Sequence, residues 1–450
     1  MGYSISKTVC LYVFAIFDGS VITASQFISL LSVEDASDTV TPTITIIEPE
    51  PKSTLHSGSI TVKGTARDNT GESGIKQVEV KVDVNGTYKM ATPKATGDWS
   101  TWSTTVRVGT TGDHRIIAKA TDNAGNQKWA NIEITIGSSG RTLTIDSSSD
   151  GPGIQSAIDD LAEQGGGIVI LKNGTYYLST QINLKSNIEI RGESTSGVLL
   201  KRVAGFQEAF LGSNVDNVKI SDLTVDIGES PKDNNGISVV IFNDSNDVTL
   251  EQLTLKNSDK MGILLRRTDN ATINNVEVYN TWTGISLQSA RHVTVSNSLV
   301  SYTLGDGIYI TNDYYKRVSY SSEDVLVTGN TVEKFADTGI DDSVTSNEYT
   351  QKDIRIEGNT VRNAITSSLA SDNNRIGITI SRTTDVSVSK CIVDSVDRGI
   401  FVGNRVTNAN GASIYIVDNI VKNFDNYGIM WEGDSSDMIV RNNKIINAGI

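Results

Sequence analysis

Residues 292–312 read HVTVSNSLVSYTLGDGIYITN, three short apolar alternations with polar or glycine corners between them. A period of two argues for strands, and runs this short argue for many of them. The third run recurs as GISVVIF from Gly236, GILLRR from Gly262, GISLQS from Gly284, GIDDSV from Gly339, GITISR from Gly377, GIFVGN from Gly399 and GIMWEG from Gly428. Gly262 to Gly284 spans 22 residues and Gly339 to Gly377 spans 38, so a minimal unit of 22 is lengthened at chosen places. The first two runs recur as DVTLEQLTL (247–255), DVLVTGNTV (324–332), DIRIEGNTV (353–361), DVSVSKCIV (385–393) and DMIVRNNKI (437–445).

Three short strands in a unit of about 22 residues predict an all-β fold, a right-handed parallel β-helix whose coils bury their faces only against neighbouring coils. Asn330, Asn359, Asn419 and Asn443 fall at one corner. Asparagine tolerates a left-handed backbone and bonds to its own kind, so an asparagine ladder is expected. Cys391 falls in that column as a small, buried, inert residue. Upstream, GPGIQSAIDDLAEQGGG (151–167) sets Ile154, Ala157, Ile158 and Leu161 on one face of a capping helix. IVILKNGTYYLSTQINLKSNIEIRGES follows as strands. A helix, a glycine run, a G-T-Y strand and an L-K-S-N-I-x-I-x-G coil resemble the entry to the pectate-lyase-like β-helix superfamily. The resemblance covers roughly residues 141–450. It implies the fold but spans lyases, glycosidases, epimerases, tailspikes and noncatalytic surface proteins.

Residues 41–137 alternate in the runs TITII, GSITVKGTARD, IKQVEVKVDV, WSTTVRV, HRIIAKATD and IEITI, which predict an Ig-like β-sandwich. The turn ATDNAGN (120–126) resembles the one before the last strand of Ig-like modules in bacterial and archaeal surface proteins; its acids satisfy turn backbone, with calcium binding the alternative. Trp99 and Trp102 belong to core packing, with sugar stacking the alternative, and GSSG (137–140) reads as a hinge. The division expected is 1–36 as an export signal or anchor, 37–137 as the Ig-like sandwich and 138–450 as the β-helix. VCLYVFAIF after Lys7 supports export, although Asp18 interrupts it. The ending IINAGI opens another Gly-Ile strand, so a partner or further residues are expected to cover that coil. The net charge is −14, which argues against nucleic acid as a partner, and the two cysteines make no disulfide framework.

The coil extensions at 312–323, 343–351, 364–375 and 404–412 all flank the Gly-Ile column, which marks that face as a groove. The residue after each Ile faces outward: Ser238, Leu264, Ser286, Tyr309, Asp341, Thr379, Phe401 and Met430. Two residues on come Val240, Arg266, Gln288, Thr311, Ser343, Ser381, Gly403 and Glu432. Asp342 occupies an inward position held elsewhere by Val, Leu or Ile, a broken rule beside the groove. Coils stack about 4.8 Å apart, so Asp306, Asp337 and Asp341 are expected to converge within the span used by glycosidase carboxylate pairs. Asp next to Gly is also ordinary turn chemistry.

GDG (305–307) and DD (341–342) look like two acid motifs of the polygalacturonase family. The family's G-H-G histidine has no counterpart, since the histidines are His56, His114 and His292, and RIGITI (375–380) lacks the lysine of its R-I-K. Lyases and epimerases of this superfamily imply instead a cation, often calcium held by acids, with an Arg, Lys or similar base. Asp306, Asp337, Asp341, Asp342, Arg375 and Arg398 are the catalytic candidates, and Asp337, Asp341 and Asp342 the calcium candidates. Tyr309, Arg266, Arg382 and Phe401 are the substrate-binding candidates. The expectation is a secreted or cell-surface protein that cleaves an acidic polysaccharide by hydrolysis or β-elimination; the alternative is a noncatalytic adhesion or glycan-binding rod.

Overall fold

The computed structural model describes residues 38–447 apart from 56–58, 70–73, 85, 109–111, 137–139, 204–207, 229–235, 314–320, 345–350, 371–372, 404–413 and 433–437. The export segment, most of the hinge, most of three coil extensions and the terminal Gly449-Ile450 lie outside the described residues.

The first part is a sandwich. One sheet holds Thr43–Glu48, Ser59–Arg67, Asp98–Arg107 and Thr92–Ala95; the other holds Thr54–Leu55, Gln127–Ile136, Gly112–Asp122, Ile75–Val82 and Lys89–Met90. Alternation along Asp98–Arg107 turns Trp99, Trp102, Thr104 and Val106 inward. Both tryptophans are buried, Trp102 against Gly64, where a Cβ would lie 2.2 Å from the indole. They pack the core, which removes the sugar-stacking alternative.

From Thr142 onward the strands are parallel, and most pair with the strand three further along the chain. The helix Asp150–Glu163 buries Gly151, Ile154, Ala157, Ile158 and Leu161 over the first coils, the face its spacing predicts. Above it the core is a continuous stack of Val, Ile and Leu from Val169 to Val421, burial that supplies roughly 25 cal/mol per Å² of apolar surface.

Two columns explain the repeat. A Cβ on Gly307 would stand 2.5 Å from the carbonyl oxygen of Gly339 and 2.2 Å from Val332, and Gly284 meets Gly307 in the same way. Here glycine is required by the close approach of successive coils, at ordinary backbone angles. In the other column, Asn330 receives nothing from its own backbone geometry but donates through Nδ2 to Val295 O and to Asn359 Oδ1, at 2.9 and 3.0 Å. Asn419 and Asn443 continue the ladder, and Cys391 is buried within it with its thiol pushed up to about 11 by burial. The left-handed residue is the one before: Asn297, Gly329, Gly358, Lys390, Asp418 and Asn442 have positive φ. The ladder asparagines serve as buried hydrogen-bond caps and do not make the turn.

The first Gly-Ile unit is out of register with the rest. Val240 is level with Ile263 and Ile241 with Leu264, so the outward columns begin at Ile241 and Asn243 rather than at Ser238 and Val240. Val239, whose N–H donates to Met261 O, brings the chain into line three residues after Gly236.

Candidate functional site

The strand Ile308–Thr311 runs beside Thr338–Ser343, Tyr309 level with Asp341 and Ile310 with Asp342. Asp341 is level with Thr379, and Thr379 with Phe401. Ile241, Leu264 and Ser286, at the head of this outward column, are buried; from Tyr309 through Asp341, Thr379, Phe401 and Met430 it reaches solvent. Asp306 enters from the corner, its carbonyl accepting from Gly284 N–H at 3.0 Å while Gly307 N–H donates to Thr338 at 2.9 Å.

The acids gather around Tyr309. Part of Asp306 and of Asp341 reaches solvent, yet in each the Oδ1 atom is buried with no hydrogen-bond partner. Burial raises the Asp306 pKa well above the usual carboxylate range, and the charges of Asp341 and Asp337 raise it further. Burial pushes Asp341 up to about 7; the Ser343 hydroxyl, donating to its Oδ2 at 3.0 Å, opposes this, while Asp337 adds to it. The two carboxyls therefore titrate as a linked pair. Tyr309 is raised by burial and then by Asp341, so its phenol stays protonated. Asp337 accepts from Asn374 Nδ2 at 2.7 Å.

Asp342 has a different place. It follows Asp341 in the strand, so it points into the coil, where it is fully buried and accepts from the Thr383 hydroxyl at 2.7 Å. Its Oδ1 has no partner, and neither has Oε1 of the buried Gln351, whose Nε2 donates to Ile310 O at 2.9 Å. A protonated carboxyl supplies the donor such buried acceptors need, and burial raises the Asp342 pKa well above normal. Asp342 faces away from the outward column of Tyr309 and Asp341, which corrects its reading as a catalytic or calcium-binding residue.

Asp337, Asp341 and Asp342 do not form one metal-ligand set. Among the described residues that arrangement belongs to Asp38, Asp68 and Asp122 of the Ig-like module, whose ligand oxygens all lie within 4.8 Å of one another. Asp122 is buried there and accepts from Asn126 N at 2.8 Å and Asn126 Nδ2 at 3.0 Å, the turn chemistry expected of ATDNAGN.

The arginines are dispersed. Arg375 pairs with Asp425 at 3.0 Å and Asp397 at 3.5 Å, toward later coils. Arg398 is level with Ile376 and Tyr427, and Arg382 donates to Val344 O at 2.7 Å. Arg266 donates to Gln288 at 3.1 Å beside Arg267, which holds the buried Asp313 and the more exposed Asp244. Phe401 lines the column beyond Thr379. Sequence reasoning placed Ser343 in the outward column without giving it a role, and missed Asn374, Thr383 and Gln351; the inward Asp342 in need of a partner was the signal for Thr383, and nothing in the sequence pointed to Asn374, the partner of Asp337. A separate cleft of ≈ 400 Å³ includes Arg107, Arg267 and Arg291 in its lining. Each of these is paired, with Asp216, Asp244 and Asp269 respectively, so the cleft offers an anion little uncompensated charge.

Residues 196–367 match the family model described as a right handed beta helix region, and residues 42–118 that of a bacterial Ig domain. The chain thus carries a right-handed parallel β-helix behind an Ig-like module. No curated protein matches it. Solved structures with similarity include an alginate lyase from Paenibacillus sp., 16% identical with TM-score 0.46, covering 69% of this chain and 98% of that one. The A-module of a mannuronan C-5 epimerase from Azotobacter vinelandii is 15% identical with TM-score 0.40, covering 67% and 98%. A surface adhesin of Streptococcus pneumoniae is 14% identical with TM-score 0.37, covering 68% and 94%. Likenesses this distant carry no argument about activity. No helix among the described residues is long and apolar enough to cross a membrane.

Proposed function

We propose that this is an extracellular enzyme that hydrolyses an acidic polysaccharide in the groove lined by Tyr309, Asp341, Thr379 and Phe401. Asp306 is the general acid and Asp341 the base or nucleophile. The observation that carries this reading is the pair itself: two carboxyls on neighbouring coils, each with a buried oxygen lacking a partner, and both with raised pKa. Such a pair keeps one proton to give the leaving group while the other carboxylate activates water or attacks the sugar. Elimination needs a cation or base at the uronate, and the arrangement supports it less because Arg375 is held by Asp397 and Asp425.

The test is a panel of uronate and neutral polysaccharides, with and without chelator. Saturated reducing ends that form in chelator, a bell-shaped pH profile, and losses on the order of 10²–10⁴-fold in Asp306→Asn and Asp341→Asn are expected. Ultraviolet-absorbing unsaturated products that vanish with chelator would assign a lyase. Full activity in both variants would displace the site, and no cleavage of any polymer would leave a binding rod.

A further inference from the structure

Before each Gly-Ile strand from Gly262 onward the chain turns a corner through a residue with left-handed backbone. Asn257, Asn280, Asn363 and Asn423 hold this place with φ of 60, 55, 56 and 52°, and Ser395 holds it at 56°. Asparagine suits the conformation, and where two are adjacent they bond, Asn280 Nδ2 donating to Asn257 Oδ1 at 2.9 Å. Two coils break the rule. Tyr302 and Lys334 stand between Asn280 and Asn363 in the stack, at φ of 56 and 57°. A bulky residue in this region is strained by about 1 kcal/mol or more, and strain of this kind gathers at functional sites.

The two strained coils are the ones that carry the acids. Tyr302 lies four residues before Asp306 and Lys334 three before Asp337, which sets each within roughly 14 Å of its acid along the chain. Tyr302 is 44% exposed and Tyr279, on the coil before, 38%. Their rings meet edge to face at 5.5 Å, and the Lys334 ammonium sits 4.4 Å from the Tyr302 ring centre. Glu333 is shared between Arg362 at 2.8 Å and Lys334 at 3.7 Å, so the two cations and one acid leave a net positive charge at this corner. Exposed aromatic rings beside a cation suit an acidic sugar: the C–H face of the ring packs on tyrosine and its carboxylate meets the ammonium.

We propose that Tyr279, Tyr302 and Lys334 form a subsite for a uronate residue of the polysaccharide, a few sugar rings from Asp306. This deepens the proposed function and rests on it for the substrate class. Tyr302→Asn is the decisive variant, because it installs the residue the corner otherwise uses and is expected to fold with equal or higher melting temperature. Hexamers of galacturonate, mannuronate and guluronate, with a xylose hexamer as neutral control, are titrated calorimetrically into the full chain. The expected result is that Tyr302→Asn weakens binding of an acidic hexamer at least about tenfold and raises KM on the parent polymer. Lys334→Gln should weaken the acidic hexamer while leaving any affinity for the neutral one. Binding by Tyr302→Asn within about twofold of wild type overturns the subsite, as does a wild type that binds none of the acidic hexamers. If wild type binds an acidic hexamer but cleaves no polymer, the hydrolase reading fails alone, and the Tyr302→Asn titration still decides the subsite.

Discussion

Asp341 and Asp342 are adjacent in sequence, yet one faces solvent and the other the core, because a strand sends successive side chains to opposite sides. Sequence reasoning set Asp341 outward and Asp342 inward by this same rule, yet counted both as catalytic and calcium candidates. The structure separates them by role, and the physical cause of their raised pKa, burial, acts on each for a different end. For Asp342 it has a stability consequence. Its folded pKa is raised above the unfolded value, so the folded chain holds a proton that the unfolded chain releases above about pH 4, and its stability falls as pH rises through that window. Asp342→Asn removes the charge and retains an acceptor for Thr383. Urea unfolding should show a flatter stability–pH curve and a gain of roughly 1–3 kcal/mol at pH 8 over wild type. A loss at pH 8 would mean that an ionised carboxylate is needed in the coil.

At the scale of elements, the glycine and asparagine columns were legible because coil stacking repeats the same local demand every turn. The ladder also shows where sequence reasoning misassigned cause, since the left-handed residues precede the asparagines. Cys391 is the ladder's weak rung. Asn359 Nδ2 meets its sulfur at 4.0 Å, whereas the corresponding amide of Asn330 meets an oxygen at 3.0 Å. Cys391→Asn should supply that acceptor and stabilise the β-helix by about 0.5–1.5 kcal/mol, read as a higher denaturant midpoint. An unchanged or lower midpoint would show that the column at this coil is too narrow for the amide. The expected groove was legible only as a direction, since it rests on which coils carry long extensions. Of these, 364–375 is described apart from 371–372, and Asn373 closes it by bonds of 2.8 and 3.0 Å to Ser367.

Over the whole molecule there are two hydrophobic cores with no shared member, one in the sandwich and one running up the β-helix. Arg107 of the sandwich reaches Asp216 of the β-helix at 3.1 Å, with the arginine side chain 52% exposed. Asp216 is buried, with its side chain 9% exposed, and only the arginine end lies open to solvent, so this one ion pair is a point link that does not join the two cores. Calorimetry should therefore resolve two transitions, and with Trp282 and Trp431 of the β-helix replaced by Phe, fluorescence dominated by the buried Trp99 and Trp102 should follow the sandwich transition. A single transition followed by all probes would show that the cores unfold together. By itself the sequence determined the sandwich, the capping helix, the coil length and the glycine and asparagine columns, because each is a local periodic demand that the chain meets within a coil or between neighbours. The strand period already set Asp341 outward and Asp342 inward; only the tertiary structure decided their partners, Ser343 for Asp341 and Thr383, 41 residues on, for Asp342. It alone drew Arg375 to Asp425, 50 residues on, and gathered Asp38, Asp68 and Asp122. The reason is that charged side chains at corners choose partners by distance in space, and coils of unequal length make that distance unreadable from spacing.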